Sequence, residues 1–420
     1  MIRVLMLCEY FFPYDTGGSE WSTYYLARDL LKKSIVSTVL TPNYGNSRTR
    51  EYKDKVEVIR FPFYKKLRGK NQLTPYWHTN TLWYLTSSIF TLYFAITAKA
   101  DVIHVQGKYF LPAAILTKFL TGKKVIFTAR DYIILCPLGI CLIKSGKPCD
   151  FNSLLKSDLP LYIRNYMPKA SKLRVLMQII FTVRAKFKSE ILKQTLKLVD
   201  KKVTSSKISK DLYQKAGVKD MTVIPNSYEI KRGKKTLKIR SKNPVIMYAG
   251  RLTYGKGIQI LFEAMPAVLG EYPNAVLKVA GNGFLKNDLL SFAKKHNFEK
   301  SVEFLGHQDH KKLLNYVSLA TCTVMPSVWP EPFGRVALES IASGTPVVAS
   351  EKAGISQQLS SRWAIVTSPD KTTIASAIIS SIKNNALLRK NIYEDWAKIK
   401  KIWSTDVTDA HVKIYQYLIK

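Results

Sequence analysis

Short apolar runs alternate with helical patterns through the first half of the chain. Val4–Cys8, Ile35–Leu40, Val56–Arg60, Val102–Val105, Val125–Thr128 and Lys202–Ser205 read as strands, and Trp21–Lys33, Leu82–Ala98 and Pro112–Leu120 as helices. That alternation predicts a parallel sheet covered by helices. Val223–Ile224 is one more short strand, closed by Pro225-Asn226, and the acid-free stretch from Lys231 to Lys242 predicts an exposed segment beside a domain boundary. The second half restarts the same grammar. Strands are expected at Val245–Ala249, Ala275–Ala280, Val302–Leu305, Cys322–Met325 and Pro346–Ala349, and helices at Ile258–Leu269, Lys286–His296, Lys311–Val317 and about Phe333 to Ser343. The chain therefore reads as two doubly wound, Rossmann-like α/β domains, 1–228 and 229–395. A helical tail, 396–420, has Trp396, Ile399, Trp403, Ile414 and Tyr415 at or near it to bury.

Two helical patterns bear on a membrane. Asn71 to Ala98 contains no Asp, Glu, Lys or Arg, but Thr, Ser and Asn are frequent in it. Leu82, Leu85, Ile89, Leu92 and Ile96 recur at three- and four-residue steps, which describes an amphipathic packed helix more than a lipid-facing span. From Arg164 to Lys202, the stripe Leu173, Leu176, Ile180, Val183, Phe187 and Ile191 is interleaved with Arg174, Arg184, Lys186, Lys188, Lys193 and Lys197. It is either a packed helix with solvated charges or a surface lying on anionic lipid; both hold if the stripe packs inward and the charges face a bilayer.

Composition adds one unusual fact. The 420 residues are 46% hydrophobic and 23% charged, ordinary for a globular protein, but 65 Lys and Arg stand against 30 Asp and Glu. A formal charge of +35 implies an anionic partner: nucleotide phosphates, anionic lipid or nucleic acid. No nucleic-acid-binding module is recognisable, and the charge is spread over both halves. Five cysteines are too few for a disulfide framework. Cys136, Cys141 and Cys149 cluster without a fourth ligand nearby, so buried thiols are expected there and no metal site. Met1 to Cys8 meets Glu9 too soon for a signal peptide, and the cytoplasm is the default compartment.

In open parallel sheets, ligands bind beyond the carboxyl ends of the strands, so the strand-to-helix turns carry the candidate chemistry. In Tyr248-Ala-Gly-Arg-Leu-Thr-Tyr-Gly-Lys-Gly257, the glycines Gly250, Gly255 and Gly257 admit close backbone approach, and Arg251 and Lys256 add two cations beside a helix start. A diphosphate needs that chemistry. In the stretch from Pro326 to Ser340, Glu331 and Glu339 lie eight positions apart, roughly 12 Å along a helix axis, which suits one carboxylate at each end of an extended ligand. Phe333, Gly334 and Arg335 would offer helix-start amides between them. Asp15-Thr-Gly-Gly-Ser-Glu20 follows the first strand; Gly17 and Gly18 could approach a phosphate or sugar, or Ser19 could simply cap a helix. His104, Gln106, Arg130 and Asp131 close two further strands and are candidates for a sugar or acceptor pocket, with Arg130 and Asp131 also able to pair with each other. No Gly-x-x-x-x-Gly-Lys-[Ser/Thr] loop, His-Glu-x-x-His motif or metal-bridging Asp pair is present.

Ala249-Gly-Arg-Leu with Lys256-Gly257, and Glu331-Pro-Phe-Gly-Arg-Val-Ala-Leu-Glu339 followed by Gly344-Thr-Pro-Val-Val348, resemble the retaining GT-B glycosyltransferases of the group-1 family, glycosyltransferase family four. Gly17-Gly18-Ser-Glu20, Val223-Ile-Pro-Asn226 and Ala280-Gly-Asn-Gly283 match weaker signatures of that family. The resemblance implies two domains facing a central cleft, with the C-terminal helix crossing back to the first domain. It also implies transfer of a hexose, with retention, from a nucleotide-diphosphate sugar. No metal or other cofactor is called for. Arg251 and Lys256 would hold the diphosphate, Glu331 the sugar and Glu339 the ribose, while Gly18 would approach from the other domain. A lipid-linked or cell-envelope glycan is the expected acceptor, at the cytoplasmic face of a membrane whose anionic surface holds the protein peripherally. Relatives often carry histidine where Gln106 and Arg130 stand. Ser206-Lys207, Ala353-Gly354 and Gln357 also depart from the pattern. The competing readings are a nucleic-acid-binding protein, an epimerase or an inactive scaffold on the same fold.

Overall fold

The structure is a computed structural model that describes residues 1–14, 17–67, 73, 75–138, 150–167, 170–229 and 243–420. Cys141, Cys149, Asp15, Thr16 and the basic segment 231–242 lie outside the described residues.

Among the described residues the strands form two sheets. The first holds β1 (Ile2–Leu7), β2 (Ile35–Asn43), β3 (Arg50–Lys53), β4 (Val56–Pro62), β5 (Val102–Val105), β6 (Lys124–Ala129), β7 (Lys201–Thr204) and β8 (Met221–Val223). Their order is β3-β4-β2-β1-β5-β6-β7-β8, and all pair in parallel except β3 with β4. The second holds β9 (Val245–Ala249), β10 (Val276–Ala280), β11 (Val302–Gly306), β12 (Cys322–Met325), β13 (Val347–Ser350) and β14 (Ala364–Thr367). It is wholly parallel, ordered β11-β10-β9-β12-β13-β14. Each sheet reverses its winding direction once, beside β1 and beside β9, and a ligand crevice is expected beyond the strand ends there. The expected architecture of two doubly wound sheets is present. The strands β3 and β14 are additions: β3 is polar and partly or fully exposed at every position, so no apolar run announces it.

In the second domain, helix Ile258–Glu271 buries Ile258, Leu261, Phe262, Met265 and Val268 against its sheet. At the other end of the chain, Asp406–Ile419 packs on helix Gly18–Leu31 and on β5. Trp403 and Tyr415 belong to one apolar cluster with Val4, Met6 and Val39 of the first sheet and with Leu338 and Trp363 of the second domain. The Tyr228 N–H donates to the Trp403 carbonyl at 3.0 Å, and Lys33 pairs with Asp409 at 2.8 Å.

Three helices lie over one face of the first sheet, and two of them overturn the expected inward stripes. Helix Thr81–Thr97 buries Trp83, Ser87, Thr91 and Ala95, while Leu82, Leu85, Ile89 and Ile96 are 47–58% exposed. Helix Lys172–Thr195 buries Thr182, Lys186, Ser189 and Leu192, while Leu173, Leu176, Ile180, Phe187 and Ile191 face outward. Lys186, expected in solvent, is buried and paired with Glu190 at 2.8 Å. Between them, helix Leu111–Thr121 leaves Leu116, Phe119 and Leu120 exposed. Small and hydroxyl-bearing residues take the inner positions; Thr117 donates to the Ala113 carbonyl on its own preceding turn at 2.9 Å, and Ser189 to the Ile134 carbonyl at 2.7 Å. Among the described residues no helix is long and apolar enough to cross a membrane.

Candidate functional site

Glycines draw the second-domain loops together. Gly257 has φ +70°, and a Cβ there would stand 1.8 Å from the Pro326 carbonyl oxygen. Gly281, at φ +137°, would place one 1.9 Å from the carbonyl oxygen of Gly250, whose N–H in turn donates to the Ala280 carbonyl at 2.9 Å. Gly257 was expected to make room for a ligand; its space is filled by the neighbouring loop instead. The contact docks the turn Tyr254–Lys256 against the loop after β12, and so sets Lys256 beside Glu331.

Lys256 Nζ donates to Glu331 Oε1, and Ser327 Oγ donates to Oε2 at 2.7 Å. The Lys256 ammonium also lies 5.7 Å from the Trp329 ring centroid. Burial pushes the Glu331 carboxyl up, but Lys256, Ser327 and the nearby Arg251 outweigh it and hold the group below its ordinary value. Glu331 is thus an anchored anion at neutral pH. Its backbone is stitched to the next loop: its N–H donates to the Lys352 carbonyl at 3.0 Å, and its carbonyl accepts from the Gly354 N–H at 2.9 Å. Arg251 is exposed on the loop after β9.

Gly334, at φ +105°, turns the chain into helix Arg335–Ala342; a Cβ would meet Met325 Cε at 2.7 Å. Phe333 is buried in the core behind this turn. Arg335 was expected to contribute its amide. In the structure its side chain ties the two domains together: Nε donates to Glu339 Oε1 at 2.7 Å and Nη1 to the Gly18 carbonyl at 2.7 Å. Its guanidinium lies 5.5 Å from the Tyr228 ring centroid and 5.8 Å from that of Trp21. His310 Nε2 is 3.0 Å from Glu339 Oε1, which requires the proton on that nitrogen. Burial pushes the Glu339 carboxyl up; Arg335 and His310 more than reverse this and keep it ionised.

From the first domain, Gly17 is the N-cap and Gly18 the first residue of helix Gly18–Leu31, so Ser19 lies inside the first turn and is not the cap. A Cβ at Gly18 would lie 2.9 Å from Arg335 Cδ, so glycine here serves the approach of one domain to the other. Ser205 and Ser206 reinforce that approach by donating to the Pro332 carbonyl at 2.9 and 2.7 Å.

The remaining four candidates turn to one another and to the core. His104 is 0% exposed, with Nδ1 2.7 Å from the Tyr415 hydroxyl and Nε2 2.7 Å from that of Thr128. Burial holds its imidazole well below the ordinary value, hence neutral. It sits under the C-terminal helix and does not line a pocket. Gln106, beside it, is buried and accepts from Arg130 Nη2 at 2.6 Å, while Arg130 Nη1 donates to Asn226 Oδ1 at 2.6 Å. Burial pushes the Arg130 guanidinium down to about 10. Asp131 pairs with Lys108 at 2.6 Å and not with Arg130. Glu9, at the end of β1, accepts the Tyr109 N–H at 2.5 Å and is pushed up to about 7 by burial, with Lys108 opposing. Cys136 is buried. Ser327, His310, Lys108 and Glu9 were not found from sequence. Ser327 lay inside a recognised motif, but the others carry no spacing signal and meet their partners only through the fold.

The second domain thus presents carboxylates paired with cations, and the first a hydrogen-bonded network of a neutral imidazole, an amide and the Arg130 guanidinium. Residues 16–232 match the family described as Glycosyltransferase Family 4, and residues 229–400 match Glycosyl transferases group 1. The chain belongs to glycosyltransferase family 4. The glycogen synthase of Mycobacterium tuberculosis is 36% identical over 142 residues, 34% of each protein, so the chain spans about a third of that relative's length. A phosphatidylinositol N-acetylglucosaminyltransferase component of Arabidopsis thaliana is 24% identical over 423 residues, 100% of this chain and 83% of the relative. Anabaena HepE, solved in complex with UDP and glucose, has the same fold with TM-score 0.66 at 16% identity, covering 99% of this chain and 100% of that one. This family 4 chain has the GT-B architecture of that neighbour.

Proposed function

We propose that this glycosyltransferase is a metal-independent, retaining hexosyltransferase. It would move a hexose from a nucleotide-diphosphate sugar to a lipid-linked or cell-envelope glycan acceptor at the cytoplasmic membrane face. The observation that carries the reading is the pair of ionised carboxylates, half-buried Glu331 held by Lys256 and buried Glu339 held by Arg335, at opposite ends of one turn-and-helix segment. The UDP in the HepE complex supports a nucleotide-diphosphate donor, and the Arabidopsis relative named for phosphatidylinositol supports a lipid-linked acceptor. Residues 1–228 are taken as the acceptor-side domain, 229–395 as the donor domain and 396–420 as the returning helix.

In this mechanism Arg251 and Lys256 meet the diphosphate, with Gly250, Phe333 and Gly334 supplying backbone beside it. Glu331 accepts hydrogen bonds from hexose hydroxyls and Glu339 from the ribose; Gly17 and Gly18 close over the donor from the first domain. The bond from the anomeric carbon to the diphosphate oxygen breaks with its electron pair left on the phosphate. The acceptor oxygen forms its bond on the same face, and its proton passes to the departing phosphate. Lys256 and Arg251 stabilise the growing negative charge, the main source of acceleration where no covalent intermediate forms. Gln106 and Arg130, bonded to each other, and Asp131, paired with Lys108, shape the acceptor side.

The test is a donor screen that monitors released nucleotide with each sugar nucleotide in turn, with and without chelator. One donor should be turned over with or without chelator, and Glu331→Ala should abolish transfer. Turnover that persists in Glu331→Ala would remove the assignment, and a product of inverted anomeric configuration would remove retention.

A further inference from the structure

Helices Thr81–Thr97, Leu111–Thr121 and Lys172–Thr195 lie in one layer. The first and third each pack on the second, and all three send their inner residues into a single core under the first sheet. Their outer faces therefore look out on the same side of the molecule. Those faces are apolar over their length. Leu85, Ile89, Phe119, Leu176, Phe187 and Ile191 are all more than half exposed, while serine, threonine and a paired lysine sit inside. Single exposed apolar residues are ordinary, but a contiguous set that reverses the usual sorting of a water-facing helix marks a surface with a partner.

Charge decides which partner. The helices Thr81–Thr97 and Leu111–Thr121 contain no acid. The acid of Lys172–Thr195, Glu190, is already paired with Lys186 at 2.8 Å and Lys193 at 2.5 Å. Arg174 and Arg184 are exposed along the same helix as the apolar stripe, and Lys197 just beyond its end. A second copy of this chain would set cation against cation. An anionic bilayer answers both features: the basic side chains meet phosphate head groups while the leucines, isoleucines and phenylalanines enter the acyl boundary.

We infer that these three helices form one plateau that inserts into the head-group layer of an anionic bilayer, so that the apolar side chains and not the charges alone hold the protein there. This deepens the membrane-face reading above, and it rests on that reading only for the purpose of docking. Binding itself needs no turnover. It also differs from an electrostatic adsorption, which salt would reverse completely.

Flotation of the full chain with phosphatidylcholine vesicles, with and without phosphatidylglycerol, tests it. The parent chain should float with the phosphatidylglycerol vesicles and stay largely bound when high salt is added afterwards. The quadruple variant Leu85→Gln, Ile89→Gln, Leu176→Gln, Phe187→Gln should partition on the order of 100-fold more weakly. It should keep the parent's thermal midpoint, because these positions face outward. A folded quadruple variant that floats as well as the parent would overturn the inference. So would release of the parent by salt alone, or a parent that does not float but dimerises through this face in sedimentation. Vesicle binding by a chain that turns over no sugar nucleotide would uphold the plateau and discard the transferase mechanism. Turnover of a donor without any flotation would do the reverse.

Discussion

Helix Ile258–Glu271 and helix Thr81–Thr97 both cover a parallel sheet, yet they bury opposite kinds of side chain. The first turns Leu261, Phe262 and Met265 to its sheet; the second turns Ser87, Thr91 and Ala95 inward and leaves Leu85 and Ile89 outside. The same contrast holds at the strand ends. The second domain pairs Glu331 with Lys256 and Glu339 with Arg335, whereas the first keeps His104, Gln106 and Arg130 bonded among themselves. Hydrophobic periodicity establishes that a helix has two faces. It does not say which one meets the sheet, because that depends on how closely the neighbouring elements approach and on what lies outside.

The contrast can be broken most sharply at the charged pairs. If the second domain alone stabilises the departing diphosphate, Lys256→Ala should lower transfer by about 10²–10³-fold with the fold intact, read from the rate of nucleotide release. A fall of less than tenfold would mean that the Lys256–Glu331 pair is structural.

Next in size is the test of the two helix types. Leu261→Ala removes a fully buried side chain and should cost about 2–5 kcal/mol in urea unfolding. Leu85→Ala should stay within about 0.5 kcal/mol of the parent in the same assay without lipid, since Leu85 is 58% exposed. Equal losses would show that the outward face is covered in solution.

The buried neutral imidazoles set a pH dependence. Burial pushes the imidazoles of His78 and His411 down to about 3 and about 4, and that of His104 well below its ordinary value. Unfolding frees all three to bind protons near pH 6.5. Their contribution is therefore whole above about pH 6.5 and is lost as pH falls, at up to about 1.4 kcal/mol per pH unit for each. Glu9, pushed up to about 7, acts oppositely, since its burial disfavours folding as pH rises through that value. With three imidazoles against one carboxyl, the thermal midpoint should drop between about pH 6.5 and about pH 5, and His411→Gln should flatten the slope. A midpoint that rises on acidification would contradict the buried neutral imidazoles. Tyr415→Phe, which removes the hydroxyl partner of His104, should cost about 1 kcal/mol in thermal unfolding.

Much of this architecture was legible along the chain. Runs such as Val102–Val105 and Cys322–Met325 are legible as strands because a strand buried on both faces is mostly apolar, and the polar members, His104 and Thr323, are each hydrogen-bonded. The Glu331 and Glu339 pattern was legible because both carboxylates lie within one segment whose local geometry follows from nine residues. Three features were not. Arg335 reaches Gly18, 317 positions away, and His104 meets Tyr415, 311 positions away; no local pattern encodes such contacts. Lys108 between Glu9 and Asp131 likewise requires three separate strand ends to come side by side.

Local composition and short-range periodicity were enough for the two-sheet fold, the family motifs and the excess of positive charge, since each follows from propensity or from neighbours in sequence. Folding assigned the partners. The close approach of Gly18 to Arg335 linked the two domains through a side chain, and the seating of three helices put Ser87, Thr91, Thr117, Thr182 and Ser189 inside and Leu85, Ile89, Phe119, Leu176 and Phe187 out. Both outcomes come from distances between segments remote in sequence, where van der Waals contact and hydrogen-bond satisfaction decide which face or atom can fit.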